Sequence, residues 1–394
     1  MTPKKIVLAY SGGLDTSVCV RYLKDRYGAE VIGYTCDLGQ GVDRSMLEKR
    51  CRAAGGSGLI VEDARREFVE GYIFRALRAE AVYESKYYLG TALSRPLIAK
   101  NLVACARRLK ADTLAHGCTG KGNDQVRLEV SFQALAPDLA VLAPLREWDL
   151  SSRAEEIDYA KRHRIPIDVT KRSPYSIDAN LWGVSIECGV LEDPGQEPPR
   201  DVWQVTSDPE DAPQRAEVVR IGFEKGIPKT LNGKALNSVD LIRKVHAIGA
   251  RHGIGRSDLI ENRLVGIKSR EVYEAPAAAV LFAAHRALEE LVLDRELFHF
   301  KQGVSLKYAE LVYYGLWFTP LRQALDRFVD ETQARVTGTV AVKLHRGSVS
   351  IVSRASKFSR YRKELATYEP GAKFDEKLAG GFIQIWGMPY RGEK

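Results

Sequence analysis

Apolar and polar positions alternate in two rhythms that take turns along the first part of the chain. Short apolar runs at 6–9, 31–36 and 58–62 are separated by helical spacing over 16–27 and 44–54. That pattern predicts a βαβαβ unit with a parallel sheet. Helical spacing continues over 65–80 and 97–109 and leads to a short apolar strand at 113–115. Between 164 and 200 the prolines Pro166, Pro174, Pro194, Pro198 and Pro199 break regular structure, and a domain boundary is placed near Lys171. Beyond it, 216–223 alternates as a strand, while 234–252 and 276–293 read as helices. Residues 339–344 and 348–353 flank Arg346-Gly347 as a β-hairpin. The fold class is therefore α/β, a Rossmann-like parallel sheet over 1–170 followed by an α+β domain over 171–360 and a tail over 361–394. The apolar end of that tail, Phe382 to Trp386, either packs on a neighbouring subunit or docks on its own domain. Apolar residues at helical spacing over 301–317 read as core or subunit interface.

Composition narrows this only slightly. With 394 residues, 45% hydrophobic and 28% charged, the chain has room for two cores and lacks the signature of disorder. Its net charge of +8 comes from scattered Lys and Arg, so nucleic acid and small anions fit equally well. The six cysteines, Cys19, Cys36, Cys51, Cys105, Cys118 and Cys188, form no CxxC pair and are expected to be buried free thiols. No apolar stretch approaches the roughly 18 residues of a membrane span, and the N-terminus leads straight into a strand. A cytoplasmic location without a membrane partner is expected.

Candidate chemistry begins at Tyr10-Ser11-Gly12-Gly13-Leu14-Asp15-Thr16-Ser17, between the first strand and the first helix. Two glycines let the backbone approach an anion, and Ser11, Thr16 and Ser17 bring hydroxyls beside the unpaired N–H groups of a helix N-terminus. A triphosphate cradle of the Walker type needs Lys followed by Ser or Thr after its last glycine, whereas Leu14-Asp15 stands here. A tight Gly-Gly turn in an ordinary Rossmann-like unit accounts for the same letters. Position favours a ligand, since the first βα crossover of a doubly wound sheet is a usual binding place.

A second glycine-containing loop, Thr119-Gly120-Lys121-Gly122-Asn123-Asp124-Gln125-Val126-Arg127, follows the 113–115 strand. Its hydroxyl, amide, carboxylate and guanidinium suit a zwitterion such as an amino acid, which needs donors for its carboxylate and an acceptor for its ammonium. A polar surface turn is the plainer alternative.

The first loop resembles the pyrophosphate-binding loop of ATP pyrophosphatases. Four segments together, AYSGGLDTS, LGTALSRP, HGCTGKGNDQVR and ENRLVGIKSREVYE, are similar in order and spacing to the argininosuccinate synthase family. The resemblance implies an ATP-dependent ligase that adenylates citrulline, displaces AMP with aspartate, and serves arginine biosynthesis. It implies ATP at Ala9, Tyr10, Ser11, Gly12, Gly13, Leu14, Asp15, Thr16, Ser17, Cys36 and Gly117. Citrulline falls to Tyr87, Ala92, Asn123, Arg127, Ser176, Ser185, Glu261 and Tyr273, and aspartate to Thr119, Asn123 and Asp124. Cys36 and Ala92 stand where relatives often carry alanine and serine, so any contact at Ala92 comes from its backbone. Mg²⁺ on the triphosphate is implied without an identifiable ligand set. The resemblance further implies a homotetramer, a synthetase and multimerisation role for the second domain, an oligomerisation role for the tail, and no nucleic-acid partner. Two rivals use the same first loop: a tRNA-modifying adenylating enzyme, which would want a nucleic-acid domain, and a non-catalytic nucleotide sensor.

Overall fold

The computed structural model describes residues 2–150, 153–166 and 174–392. The boundary placed near Lys171 lies outside them. In the first part, β1 (Lys5–Ala9), β2 (Glu30–Asp37), β3 (Gly58–Asp63), β4 (Thr113–His116) and β5 (Ala140–Leu142) form one parallel sheet in the order β3-β2-β1-β4-β5. The strand β1 shows why this sheet is buried on both faces. Val7 joins the core on one side, while Ile6 and Leu8 join the core on the other, as period-two side chains must.

After it come the hairpin β6 (Ser176–Asn180) and β7 (Gly183–Glu187), then β8 (Glu217–Glu224), β9 (Ile227–Leu231) and β10 (Lys234–Ala235). Next are β11 (Arg256–Asn262) and β12 (Lys268–Glu274), and finally β13 (Gly338–His345) and β14 (Ser348–Ala355). They build two sheets, β11-β12-β7-β6 and β10-β9-β8-β13-β14, whose paired strands run antiparallel. The largest core runs from Val7 and Leu93 through Leu281 to Val342, so both parts of the chain share it.

Several expectations need correction. The helix expected over 97–109 begins at Gly90 and runs through Pro96, which lies inside it and leaves Ala92 O without its helical N–H partner. The stretch expected as a helix over 234–252 is the short strand β10 followed by the helix Ser238–Arg251, which starts when Asn237 caps it. The proline-rich segment contains the β6–β7 hairpin, which its prolines flank without entering. That hairpin is clamped to the first part: Asn180 Nδ2 donates to Gly90 O at 3.1 Å, and Trp182 Nε1 to Tyr88 O at 2.9 Å. Four cysteines are buried, but Cys118 and Cys188 are half-buried. The tail forms the helix Lys377–Trp386, and its Leu378, Phe382, Ile383, Ile385 and Trp386 are all exposed instead of docked on the chain's own core.

The shared core also holds charge. Lys301 Nζ donates to the two oxygens of Glu289 at 2.8 and 2.9 Å, Gln333 Nε2 donates to the same carboxylate, and all three residues are buried. Removing one member of a buried ion pair strands the other. Glu289→Ala is expected to lower unfolding free energy by about 3–5 kcal/mol in a urea titration. A loss below ~1 kcal/mol would mean that water or a neighbour compensates Lys301.

Candidate active site

The strand order reverses beside β1, whose neighbours on either side are β2 and β4. Ligands in open α/β sheets bind outside the carboxyl ends of strands at such a point. Ala9 ends β1, Cys36 lies near the end of β2, and Gly117 follows β4, so the structure gathers these residues at one edge. The loop from Tyr10 then enters the helix Leu14–Tyr27, which has Gly13 at its N-cap and no side-chain cap bond. Its first N–H groups therefore point toward the edge of the sheet.

Local bonds hold this loop open. Ser11 Oγ lies 3.1 Å from Thr16 Oγ1, Tyr10 Oη lies 3.0 Å from Ser17 Oγ, and Thr35 Oγ1 donates to Tyr10 O at 2.6 Å. Gly12 has φ +78°, and a Cβ there would meet Leu47 Cδ2 at 2.1 Å. Gly117 comes close to the same helix, where a Cβ would lie 3.0 Å from Thr16 Cγ2. Burial pushes the Cys36 thiol up to about 12, so this residue lines the edge as a small apolar group. Asp15 sits in the first turn near Glu156, whose carboxyl is raised to about 8 by burial and by Asp15. Glu156 Oε2 is buried without a hydrogen-bond partner among the described residues.

The loop after β4 runs from this edge into a second cluster. Asn123 opens the helix Asn123–Leu135, which puts Asp124 and Arg127 one turn apart on one side of it. Asp124 accepts from Arg127 Nη1 at 2.9 Å and from Arg95 Nη2 at 2.7 Å, and Arg95 also reaches Asp178 at 2.6 Å. Burial alone would raise the Asp124 carboxyl, but the Arg95 and Arg127 guanidinia outweigh it and hold it below the usual carboxylate range. Asn123 Nδ2 donates to Tyr313 Oη at 2.9 Å, and Asn123 Oδ1 accepts from Leu264 N at 2.9 Å.

Opposite this helix lies one face of the β11-β12-β7-β6 sheet. Strand registers pair Ser176 with Glu187, Asp178 and Tyr273 with Ser185, and Glu261 with Ser269. Period two therefore puts Ser176, Asp178, Ser185, Glu261, Glu271 and Tyr273 on the same face. The other face carries Val184, Ile186 and Val272 into a small core with Leu191 and Val202. Tyr313 Oη donates to Glu261 Oε1 at 2.8 Å, and Tyr273 Oη lies 2.6 Å from Glu261 Oε2 and 2.8 Å from Glu271 Oε2. Tyr87 stacks on Tyr273 with ring centroids 4.2 Å apart, and its Oη accepts from Thr91 N and Ala92 N at 3.0 and 3.2 Å. The backbone N–H of Ala92 is thus engaged by Tyr87. Ser185 Oγ lies 2.9 Å from Thr91 Oγ1.

Most sequence-derived residues thus meet in one region, with two at its rim. Ser176 is exposed at the start of β6, and Thr119 is exposed on the loop. Sequence reasoning missed Arg95, Asp178, Glu271 and Tyr313. Arg95 stood inside the LGTALSRP segment already singled out, and Tyr313 inside the segment read as core or interface.

The family model for the arginosuccinate synthase N-terminal HUP domain matches residues 5–166, and the one for the arginosuccinate synthase C-terminal domain matches 175–392. The chain belongs to the argininosuccinate synthase family. Argininosuccinate synthases of Symbiobacterium thermophilum and Chlorobium luteolum are 56% and 54% identical to it, over 99% and 98% of this chain and 97% of each relative. That of Gloeobacter violaceus is 54% identical over 99% of this chain and 98% of its own length. Among solved structures, the U34-tRNA thiolase NcsA of Methanococcus maripaludis aligns over 44% of the chain and 61% of its own, at 14% identity and a TM-score of 0.27, which is too distant to bear on function. As a member of the synthase family the chain is a ligase, and ATP is a substrate of that family.

The first loop gives a direct test. Gly12→Ala puts a Cβ where both φ and Leu47 oppose it, and is expected to weaken ATP binding by roughly tenfold in calorimetric titration. Wild-type affinity in this variant would mean that the loop tolerates a side chain there.

Proposed function

We propose that this chain joins L-citrulline and L-aspartate into argininosuccinate, releasing AMP and pyrophosphate through a citrullyl adenylate, in arginine biosynthesis. One juxtaposition carries the reading. The loop after β4 touches the anion-binding helix at Gly117 and within ten residues delivers Asn123, Asp124 and Arg127 to a face lined by Ser185, Glu261 and Tyr273. A phosphate cradle and two zwitterion-binding groups then share one cleft.

In this reading ATP lies along Ala9 to Ser17 with Cys36 and Gly117 beside it. Thr119, Asn123 and Asp124 receive aspartate, while Tyr87, Ala92, Asn123, Arg127, Ser176, Ser185, Glu261 and Tyr273 receive citrulline. The ureido oxygen of citrulline attacks the α-phosphorus, a new P–O bond forms, and the bond to the β-phosphate breaks to release pyrophosphate. The amine of aspartate next attacks the ureido carbon, loses a proton, and AMP departs with the ureido oxygen. Activated phosphates supply the leaving groups, so the protein mainly positions three substrates and neutralises developing charge. Glu261 is placed to accept an ammonium. The space bounded by Tyr87, Thr91, Ser185 and Tyr273 is about 10 Å³, roughly one water.

Mg²⁺ fits the first loop, because a buried, unpartnered carboxyl oxygen beside Asp15 is a hard donor of the kind that ion takes. Asp15 and Glu156 would hold it, and it would neutralise phosphate charge. The exposed apolar helix Lys377–Trp386 supports a homotetramer in which the tail covers a neighbouring subunit. No helix among the described residues is long and apolar enough to cross a membrane, and we place the enzyme in the cytoplasm.

Pyrophosphate and AMP are expected from ATP, Mg²⁺, citrulline and aspartate together, with AMP formation lost when either amino acid is omitted. Product formed with neither amino acid, or only with RNA, would refute the assignment. Asp124→Ala should raise the aspartate KM while ATP affinity holds, and an unchanged aspartate KM would remove Asp124 from that role. Arg127→Lys should raise the citrulline KM despite the conserved charge, since the guanidinium fork is lost.

A further inference from the structure

The hydroxyl of Tyr273 sits between two carboxyl groups, 2.6 Å from Glu261 Oε2 and 2.8 Å from Glu271 Oε2. A phenol has one proton to give. If it goes to one carboxylate, the other meets the phenol oxygen lone pair to lone pair at hydrogen-bond distance, unless that carboxyl carries a proton of its own. Each carboxyl has its Oε2 on the phenol and its Oε1 on another donor, and those other partners point to Glu271. Glu261 already accepts from Tyr313 Oη at 2.8 Å and lies on β11 facing the proposed citrulline groups. Glu271 Oε1 accepts from Arg263 Nη2 at 3.1 Å, which leaves its Oε2 to donate. Arg263 has its closer anionic partner in Glu187 on β7.

We propose that Glu271 is a protonated positioning residue: its carboxyl O–H donates to Tyr273 Oη, which commits the phenol's proton to Glu261 and fixes both groups to receive the citrulline ammonium. This rests on the reading that Glu261 and Tyr273 receive citrulline. The surroundings agree. Burial, with Glu261 and Glu187 close by, pushes the Glu271 carboxyl well above the usual range despite the Tyr273 hydroxyl and Arg263. Tyr87, stacked on Tyr273, and Arg127 beyond it complete the titratable shell. A neutral Glu271 also leaves one carboxylate, Glu261, facing the ammonium, and one, Glu187, facing Arg263.

The sign of the pH dependence follows. The proton is held up to the raised pKa and lost above it, so kcat/KM for citrulline falls on the alkaline side as a second anion turns its lone pairs on the phenol.

The test compares wild-type full-length protein with Glu271→Gln and Glu261→Gln. A glutamine amide donates to Tyr273 Oη as the acid does, so E271Q should keep the citrulline KM within about twofold and lose the alkaline fall. Infrared difference spectra between neutral and alkaline pH should show a protonated-carboxyl C=O band in wild type that E271Q lacks. A citrulline KM raised about tenfold or more in E271Q, an unchanged alkaline limb, or the same infrared band in both proteins would overturn the proposal. Glu261→Gln leaving the citrulline KM unchanged would instead defeat the citrulline assignment, and the positioning role with it, whatever the infrared band does.

Discussion

Two loops meet at the carboxyl ends of β1 and β4 because the parallel sheet winds outward from that pair in both directions. Crossovers between parallel strands are right-handed, so the connections on either side of this pair cover opposite faces and leave a crevice between them. One loop leads into an uncapped helix and offers N–H groups to an anion. The other leads into a helix whose first turns carry an amide, a carboxylate and a guanidinium. The β6–β7 hairpin, bonded to the helix Gly90–Leu109 at Gly90 and Arg95, then brings the polar face of its sheet to the arginine that also holds Asp124 of that second helix. Without the reversal beside β1 these groups would lie on separate surfaces.

Charge is buried in this cleft at considerable desolvation cost, and the geometry offsets it by sharing. Asp124 is held by two arginines, and Arg95 by two aspartates. Chains of this kind keep each ion partnered while fixing its orientation, which is what a positioning site needs. Tyr313 does similar work without charge. It links Asn123 on one part of the chain to Glu261 on the other, and its ring lies 4.7 Å from the Arg127 guanidinium.

Much of the first part was legible because its strands are continuous apolar runs and its helices have a clear period. The turn at Ser11 to Ser17 was legible from its two glycines and from its position between the first strand and the first helix. The β6–β7 and β11–β12 hairpins were not. Their polar face holds Ser176, Asp178, Ser185, Glu261 and Glu271, so hydrophobicity falls just where the strands do functional work. Tyr313 was hidden for the opposite reason, since an aromatic at helical spacing looks like core and is also buried here. Serines such as Ser176 and Ser185 carry no signal alone, and only the family resemblance pointed to them.

The most direct test of ATP and citrulline sharing one cleft follows an oxygen atom. Citrulline carrying heavy oxygen in its ureido group would be turned over with ATP and aspartate, and the products examined by mass spectrometry. The label is predicted in the phosphate of AMP, because the ureido oxygen attacks the α-phosphorus and leaves with it. Unlabelled AMP, with heavy oxygen in pyrophosphate or water, would contradict the account.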